Sequence, residues 1–439
     1  MKKKILVISF DAMVGEDIAY LRSRPDSNFN RIMKDCAWVE RMRSIYPSIT
    51  YPAHFSMASG CTPGKTGFYK NVYLPFDPQG RKGWILDSLE QPVEDFFAAA
   101  KRAGMTTASV YWPSMANNPN IDWLINECFP GGDEDIPKVF RDQGANEEAL
   151  LAVEHAMKYF PYGYKGRRVP TRDTTFDDFL IDCLCTLIRE RKPDFAVVHH
   201  CYIDTMRHRY GLFNDYVREA VDIADECLGK IAEALKDAGV YDDTDIVIVS
   251  DHGQMNISRN IKVNLLLKHG GFLEVNEKEE LISWQAYAQS CGGSAHVYLK
   301  NREDKALYDS VYNYLKGFAA DGVWGFREVL TEQETRSRYG LYGDFSFVLE
   351  SDGYTSFSES LQEPLVGELD LTDYRLGRAT HGYAPEKGPQ PVFCAKGPSF
   401  CEEAYIALGS VLDIAPTLAA IMGQSMESAE GRVLAELLK

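Results

Sequence analysis

The chain has 439 residues, enough for two or three domains or for one large α/β domain with an insertion. Its apolar fraction of 45% and charged fraction of 25% are ordinary globular values, which excludes a disordered or low-complexity protein. The formal net charge of −17 disfavours binding to a nucleic-acid polymer. We therefore expect small molecules as partners, or anions neutralised locally by bound cations.

The sequence contains no run of about 18 apolar residues, so we expect no transmembrane helix and no membrane partner. Residues 2–10 imitate a signal peptide, but Asp11 closes a short apolar stretch that has no small-residue cleavage site. We interpret this stretch as a buried first strand. The ten cysteines are irregularly spaced, so free thiols in the reducing cytoplasm are expected.

Short apolar, β-branched runs alternate with helical patterns along the chain. The runs 4–10, 106–111, 194–199 and 245–250 each predict a strand that is buried on both faces. Segments 176–190, 215–237 and 411–422 predict helices, and segment 390–396 predicts a late strand. This alternation predicts a doubly wound α/β fold, in which a mostly parallel sheet carries helices on both faces.

The composition and the hydrophobic pattern of the sequence change between residues 264 and 371. Glycine, serine, acidic and aromatic residues mix there with short alternating runs such as 295–299 and 345–349. We interpret 264–371 as an inserted small α+β subdomain that caps the core. The core would then consist of residues 1–263 and 372–439.

Three of the predicted strands are followed by residue types that bind metal ions. Asp11 follows the first strand, Asp204 and His208 follow the third, and Asp251 and His252 follow the fourth. Each of them alone also fits a helix cap, a turn or a structural pair. In an open parallel sheet, however, ligands bind beyond the carboxyl ends of the strands, so these side chains are expected to converge.

His381, which follows the predicted subdomain, completes this set of side chains. The set then comprises three carboxylates and three imidazoles. That is enough for three protein ligands to each of two divalent ions, with open positions left for substrate and nucleophile.

The ordered motifs resemble the alkaline phosphatase superfamily, and within it the nucleotide pyrophosphatase/phosphodiesterase branch most closely. Besides the six residues above, the resemblance rests on Pro-Ser-Ile-Thr-Tyr-Pro-Ala-His at 47–54, Tyr-Trp-Pro at 111–113 and Val-Leu-Asp-Ile-Ala-Pro-Thr-Leu at 411–418. Each motif is weak by itself, but their order and spacing match across nearly the whole chain.

The resemblance implies a two-metal hydrolase in which Thr50 is the nucleophile. The implied ligands of one ion are Asp11, Thr50, Asp251 and His252, and those of the other are Asp204, His208 and His381. Both ions are predicted to be zinc, with manganese or iron as alternatives. Asn71 matches an asparagine that holds a phosphoryl oxygen, with backbone amides beyond Thr50 as further donors. Tyr51 matches an aromatic residue that stacks against the leaving group or nucleobase.

The sequence departs from this pattern at two places. Ala53 stands where the family often has asparagine, and Thr-Met-Arg at 205–207 replaces small residues that end in glycine. Arg207 lies between two predicted ligands and could point to solvent or into the site. Its position on a helical segment favours an orientation away from the site.

A threonine hydroxyl is a poor nucleophile unless a base or a metal ion activates it, as a pair of ions would do here. We therefore predict hydrolysis of small phosphodiesters or of nucleotide pyrophosphates through a covalent phosphothreonine. A phosphonate (C–P) hydrolase and a phosphomonoesterase of the same superfamily are the alternatives. A metal-dependent phosphosugar mutase is less favoured, and so is a sulfatase, whose cysteine signature residues 61–65 resemble only faintly.

Overall fold

The computed structural model describes residues 3–130, 134–160 and 175–439. Within these ranges eight strands form one sheet, in the spatial order Tyr405–Ser410, Ala37–Arg43, Phe393–Lys396, Thr244–Val249, Lys4–Phe10, Phe195–His200, Thr107–Val110 and Trp123–Ile125. Neighbouring strands are parallel except for Phe393–Lys396, which is antiparallel to both of its neighbours. The predicted mostly parallel α/β fold is therefore confirmed.

Apolar layers cover both faces of this sheet, and its central strands are therefore buried on both sides. In the first strand, Leu6 and Ile8 face one layer, whereas Ile5 and Val7 face the other. The first layer contains the helices Thr175–Arg191 and Asp215–Asp237. The second contains the helices Thr50–Ser59, Phe96–Arg102 and Ile414–Ile421.

The helix predicted at 215–237 is observed with the same bounds. It begins where the Asn214 side chain accepts a hydrogen bond from the Val217 N–H at 3.2 Å. The segment predicted at 411–422 divides into a 3₁₀ turn, Val411–Asp413, and the helix Ile414–Ile421. The remaining helices of the described ranges are Gly15–Arg22, Asn28–Ile32, Pro63–Thr66, Ile136–Asp142, Glu147–Ala156, Tyr202–Tyr210, Val263–His269, Lys305–Asp321 and Glu332–Tyr339.

Three strands of the sheet were not predicted from the sequence. Ala37–Arg43 carries three charged residues and one of its ends is exposed, so it lacks a continuous apolar run. Tyr405–Ser410 forms one edge of the sheet and exposes three of its six side chains. Trp123–Ile125 forms the other edge and has only three residues. Apolar periodicity is weakest in short and edge strands, which explains the last two omissions, whereas the charged residues of Ala37–Arg43 explain the first.

Most of the segment between residues 264 and 371 folds around a core of its own. Four of the described strands form an antiparallel sheet there, in the order Ala286–Ser290, Ser294–Leu299, Phe347–Ser351 and Phe326–Thr331. The helices Val263–His269 and Lys305–Asp321 pack against its apolar face. The exact division into a core and an inserted subdomain remains a prediction.

Short pairings connect this segment to its surroundings. Arg259–Lys262, which precedes the segment, pairs with Thr355–Ser358 and Val366–Gly367 inside it. Leu273–Val275 pairs with Leu281–Trp284 inside the segment, and Met255–Asn256 pairs with Ala379–Thr380 across its two ends. Among the helices of the described ranges, none is both long and apolar enough to cross a membrane.

Candidate active site

The carboxyl ends of three adjacent parallel strands bring five of the six predicted ligand residues together, and the pairing of Ala379–Thr380 with Met255–Asn256 adds His381. Asp11 directly follows Lys4–Phe10, the helix after Phe195–His200 carries two of the others, and two more follow Thr244–Val249. The side chains form two buried groups, and within each group one ligand atom per residue lies within 4.8 Å of the others. The first group is Asp11, Asp251 and His252, and the second is Asp204, His208 and His381.

In the first group, the ring of His252 faces both carboxylates. Its Nε2 atom lies 3.0 Å from Asp251 Oδ2 and 3.6 Å from Asp11 Oδ1. The Thr50 hydroxyl lies 3.2 Å from the same nitrogen. Asp11 Oδ1 is buried and has no hydrogen-bond partner within the part of the chain that the structure describes. Such an oxygen is costly to bury unless a cation binds it.

In the second group, His208 is oriented by the main chain. Its Nδ1–H donates to the Ala379 carbonyl oxygen at 2.8 Å, which leaves Nε2 as an electron-pair donor that lies 3.1 Å from Asp204 Oδ1. His381 Nε2 lies 3.9 Å from the same oxygen. Gln254, which the sequence analysis missed, donates to Asp204 Oδ1 at 2.6 Å and holds this carboxylate in place.

The two groups are direct neighbours, since the rings of His252 and His381 stack with centroids 4.0 Å apart. Each group supplies three oxygen or nitrogen donors, as zinc sites with open positions require. The residues therefore fit two divalent ions, although their role as ligands remains a prediction.

The electrostatics of the first group also favour cations. Burial raises the pKa of Asp11 well above its ordinary value, and the negative charges of Asp251 and Asp204 raise it further. Burial also raises the pKa of Asp251, but the nearby histidines, His252 foremost, together outweigh that effect and the net shift is downward. Burial lowers the pKa of His252, but the carboxylates of Asp251, Asp11 and Asp204 together outweigh that effect and raise the pKa to about 9. Bound cations would relieve this crowding of buried carboxylates.

Thr50 begins the helix Thr50–Ser59 at the edge of the first group. His54, one turn later, donates from Nδ1 to the Thr50 carbonyl oxygen at 2.8 Å. Burial lowers the pKa of His54 to about 3, so the ring is neutral, and its Nε2 accepts from the Ser9 hydroxyl at 2.8 Å. Thr50, the nucleophile predicted from the sequence, thus lies in the first turn of a buried helix, and the neutral ring of His54 hydrogen-bonds to its carbonyl oxygen.

The expectation that backbone amides beyond Thr50 hold a phosphoryl oxygen is wrong for this helix. The Tyr51 N–H donates to Asn71 Oδ1 at 3.1 Å, Pro52 has no N–H, and the Ala53 N–H donates to the Ile49 carbonyl oxygen at 3.0 Å. Because Asn71 accepts through Oδ1, the donor of its side chain is the Nδ2 amide group, which lies within hydrogen-bonding reach of the Tyr374 hydroxyl. The predicted role of Asn71 is compatible with this arrangement.

The side chain of Tyr51 is buried, with 1% of its surface exposed, and its ring lies 4.9 Å from that of Trp84. The ring of Trp84 in turn contacts that of Tyr374, with centroids 5.7 Å apart, and the ring centroid of Tyr374 lies 5.8 Å from that of His381. Both Trp84 and Tyr374 are partly exposed. Stacking by Tyr51 itself stays a prediction, and the partly exposed aromatic faces beside the ligands belong to two loop residues that no motif indicated.

Arg207 points away from the two groups, as predicted, but into the protein rather than to solvent. It is fully buried, and its Nη2 donates to both carboxylate oxygens of Asp17 at 2.7 and 2.8 Å. Its Nη1 donates to the carbonyl oxygen of Ala12, which follows Asp11. The guanidinium therefore connects the segment of Asp11 to the helix that carries Asp204 and His208.

Replacing Arg207 by methionine is expected to destabilise the protein by roughly 3–5 kcal/mol, because Asp17 loses its buried cation. Arg207→Lys should lose less, since a positive charge remains, and Arg209→Met on the same helix should change stability by less than about 0.5 kcal/mol. Urea unfolding measures all three. Equal stabilities of the Arg207→Met and Arg209→Met variants would show that the pair contributes nothing.

Zinc binding to the metal-free protein is expected to release at least one proton at neutral pH. His252, with a pKa of about 9, is protonated without an ion and must lose its proton to bind one. Apparent zinc affinity should therefore fall as the pH falls below that value. Calorimetry in buffers of different ionisation enthalpy counts the protons, and His252→Gln should release fewer. Heats that do not depend on the buffer would contradict this linkage.

Comparison with known proteins gives the same assignment as the motifs. Residues 5–384 match the family model described as type I phosphodiesterase / nucleotide pyrophosphatase. Human ectonucleotide pyrophosphatase/phosphodiesterase family member 1 is 24% identical over 228 residues, which are 50% of this chain and 20% of that protein. Human family member 5 is 22% identical over 271 residues, which are 60% and 47% of the two chains. The matches thus cover less than half of these curated relatives.

Solved structures of similar fold cover the whole chain. Murine ectonucleotide pyrophosphatase/phosphodiesterase 5 superimposes with a TM-score of 0.66 at 18% identity, covering 100% of both chains. The same values hold for its inactive threonine-to-alanine variant in complex with AMP. The human protein gives a TM-score of 0.67 at 17% identity. Because the family match spans most of the sequence, the predicted resemblance is confirmed, and the chain belongs to the type I phosphodiesterase/nucleotide pyrophosphatase family of the alkaline phosphatase superfamily.

Proposed function

We propose that this protein is a metal-dependent hydrolase of phosphodiester or pyrophosphate bonds in small, nucleotide-type molecules. The observation that carries the proposal is the position of the Thr50 hydroxyl, 3.2 Å from His252 Nε2 in one ligand group, with the second group directly adjacent. Family membership supports the reaction class. The AMP complex of a solved structure with the same fold supports the substrate class.

The two groups would hold two divalent ions, for which their imidazole and carboxylate donors favour zinc. Bound at these positions, such ions would lower the pKa of a hydroxyl and offset the negative charge that develops during phosphoryl transfer. Thr50 Oγ1 loses its proton to solvent and forms the new bond to phosphorus, while the bond between phosphorus and the leaving group breaks and the leaving group departs with the bonding electrons. Water then hydrolyses the phosphothreonine and restores the threonine.

Asn71 would bind one non-bridging phosphoryl oxygen by donating a hydrogen bond from its Nδ2 amide group. A neutral donor suits a diester, which carries one negative charge less than a monoester dianion. The obvious cation for a dianion, Arg207, is fully engaged by Asp17 and Ala12. This engagement favours diesters over monoesters, since the guanidinium next to the ligands is not available to the substrate.

Trp84 and Tyr374 would form the binding surface for the flat part of the substrate. Their rings continue from that of His381 toward Phe129, which is 38% exposed and lies 6.1 Å from the Trp84 ring. Stacking of a base on an aromatic side chain contributes ~1–3 kcal/mol. A nucleoside placed beside the second group would therefore find its aromatic contacts on these loops.

We also propose a cytoplasmic location. All ten cysteines are free thiols in the structure, and eight of them are buried. A reducing compartment suits this arrangement.

Thr50→Ala is expected to lower turnover of a nitrophenyl phosphodiester by at least roughly 1,000-fold, because the nucleophile is removed. Thr50→Ser should retain measurable turnover, since the hydroxyl remains. Elemental analysis should find as many ions per chain in both variants as in the wild type, because the carboxylates and imidazoles are unchanged. Wild-type turnover by Thr50→Ala would instead indicate direct attack by water.

Trp84→Ala should lower kcat/KM for the nitrophenyl ester of a nucleoside 5′-phosphate by about 5- to 150-fold, which corresponds to the loss of one stacking contact. Hydrolysis of nitrophenyl methyl phosphate, which has the same leaving group and no base, should change little. Tyr405→Ala at the sheet edge controls for the loss of an aromatic ring. Equal losses on both substrates would assign Trp84 a structural role. If the wild type instead hydrolyses the monoester nitrophenyl phosphate faster than either diester, the phosphomonoesterase alternative is favoured.

A further inference from the structure

A third set of metal-binding side chains lies directly beside Asp11 and has no role in the proposed hydrolysis. It consists of Glu127, which follows the strand Trp123–Ile125, His199 near the end of Phe195–His200, and the next-but-one residue, Cys201. One ligand atom of each lies within 4.8 Å of the others. Glu127 and His199 are at most 4% exposed, whereas Cys201 is partly accessible.

The spacing of these atoms suits ligands of a single ion. His199 Nδ1 lies 3.5 Å from Glu127 Oε2 and 3.7 Å from Cys201 Sγ. An imidazolium–carboxylate hydrogen bond is ordinarily ~2.7–2.9 Å long, so the first distance is too long for one. Ligand atoms of a tetrahedral zinc ion are about 3.3–3.8 Å apart, as follows from zinc–ligand distances of ~2.0–2.3 Å.

The carboxylate of Glu127 carries the second observation. Its Oε2 is buried and has no hydrogen-bond partner among the residues that the structure describes. A carboxylate oxygen that has left water without gaining a donor is costly, and most buried polar atoms in proteins avoid this state. Since this oxygen faces the ring of His199 at 3.5 Å, a cation between them would remove the cost.

The other ring nitrogen of His199 connects this cluster to the catalytic groups. His199 Nε2 lies 3.1 Å from Asp11 Oδ2. If Nδ1 binds an ion, Nε2 must carry the proton and donate it to Asp11. Histidine ligands of zinc commonly donate their second N–H to a carboxylate in this way, which fixes the orientation of both groups. Here that carboxylate is itself a predicted ligand of the first group.

We propose that Glu127, His199 and Cys201 form a third metal site, for a thiophilic divalent ion such as zinc. The ion orients Asp11 through His199 and takes no part in phosphoryl transfer. A thiolate, an imidazole and a carboxylate leave a fourth position for water, and the thiolate distinguishes this site from the two catalytic groups.

Cobalt substitution tests the site, because a thiolate bound to Co²⁺ gives a near-ultraviolet charge-transfer band. Carboxylates and imidazoles give no such band, so the six catalytic ligands are silent. Full-length metal-free protein loaded with Co²⁺ should show the band, and Cys201→Ser should lose it. Cys401→Ser, which removes the other partly buried cysteine, should keep it. Zinc content should fall from about three ions per chain in the wild type to about two in Cys201→Ser.

Two further variants separate this site from the proposed function and from misfolding. Thr50→Ala should keep the band at full intensity, so the third site can be present even if the hydrolase proposal fails. Glu127→Gln should weaken the cobalt binding that this band reports by at least about 10- to 100-fold, which is the loss typical of residues that only hold a metal ligand in place. A wild type that binds two ions and shows no band, or a band that survives Cys201→Ser, would overturn the proposal.

Discussion

The site depends on one constraint, which is the burial of three carboxylates at one end of the sheet. Asp11, Asp204 and Asp251 are at most 4% exposed, and Asp11 Oδ1 has no hydrogen-bond partner in the described part of the chain. Like charges this close cannot all remain ionised in a dry environment without counter-charges. The surrounding imidazoles supply part of that charge, and bound cations would supply the rest. The ligand set therefore exists because a rigid sheet holds the carboxylates together against their repulsion.

The parallel strands explain how residues far apart in sequence meet there, and one short pairing explains the position of His381. More than a hundred residues separate His252 from His381, yet Met255–Asn256 pairs with Ala379–Thr380 in an antiparallel register. This pairing returns the chain to the sheet immediately before His381. The carbonyl oxygen of Ala379 in the same pair accepts the Nδ1–H of His208. Whatever folds between the two strands, the second ligand group is thus assembled by their pairing.

The sequence predicted those features that are encoded in neighbouring residues. Buried strands have continuous β-branched runs, and the residue that follows such a strand lies at the ligand-binding edge, so Asp11 and Asp251 were identifiable from position alone. The partner of Arg207 could not be identified in this way, because Asp17 is 190 residues away in sequence. The helical position of Arg207 fixes only the side of the helix on which its side chain lies. Trp84 and Tyr374 were missed for a related reason. Both lie on loops, where only the fold determines which rings meet.

Contacts with residues distant in sequence, Asp251 and Arg207, also explain why the backbone beside Asp11 can adopt an unusual conformation. Ala12 has a φ angle of 57°, in the left-handed region that alanine avoids at a cost of about 1–2 kcal/mol. Its N–H donates to Asp251 Oδ1 at 3.2 Å, and its carbonyl oxygen accepts from Arg207. The strained residue thus links a carboxylate of one ligand group to the helix that carries the other.

His199 holds the opposite side of the same segment through Asp11 Oδ2. The segment is therefore fixed from both sides by groups that come from distant parts of the sequence. The family favours a small residue before the histidine corresponding to His208, whereas this chain has a buried arginine there. Because that arginine hydrogen-bonds to the main chain directly after Asp11, the departure alters the support of the ligands and leaves the ligands themselves unchanged.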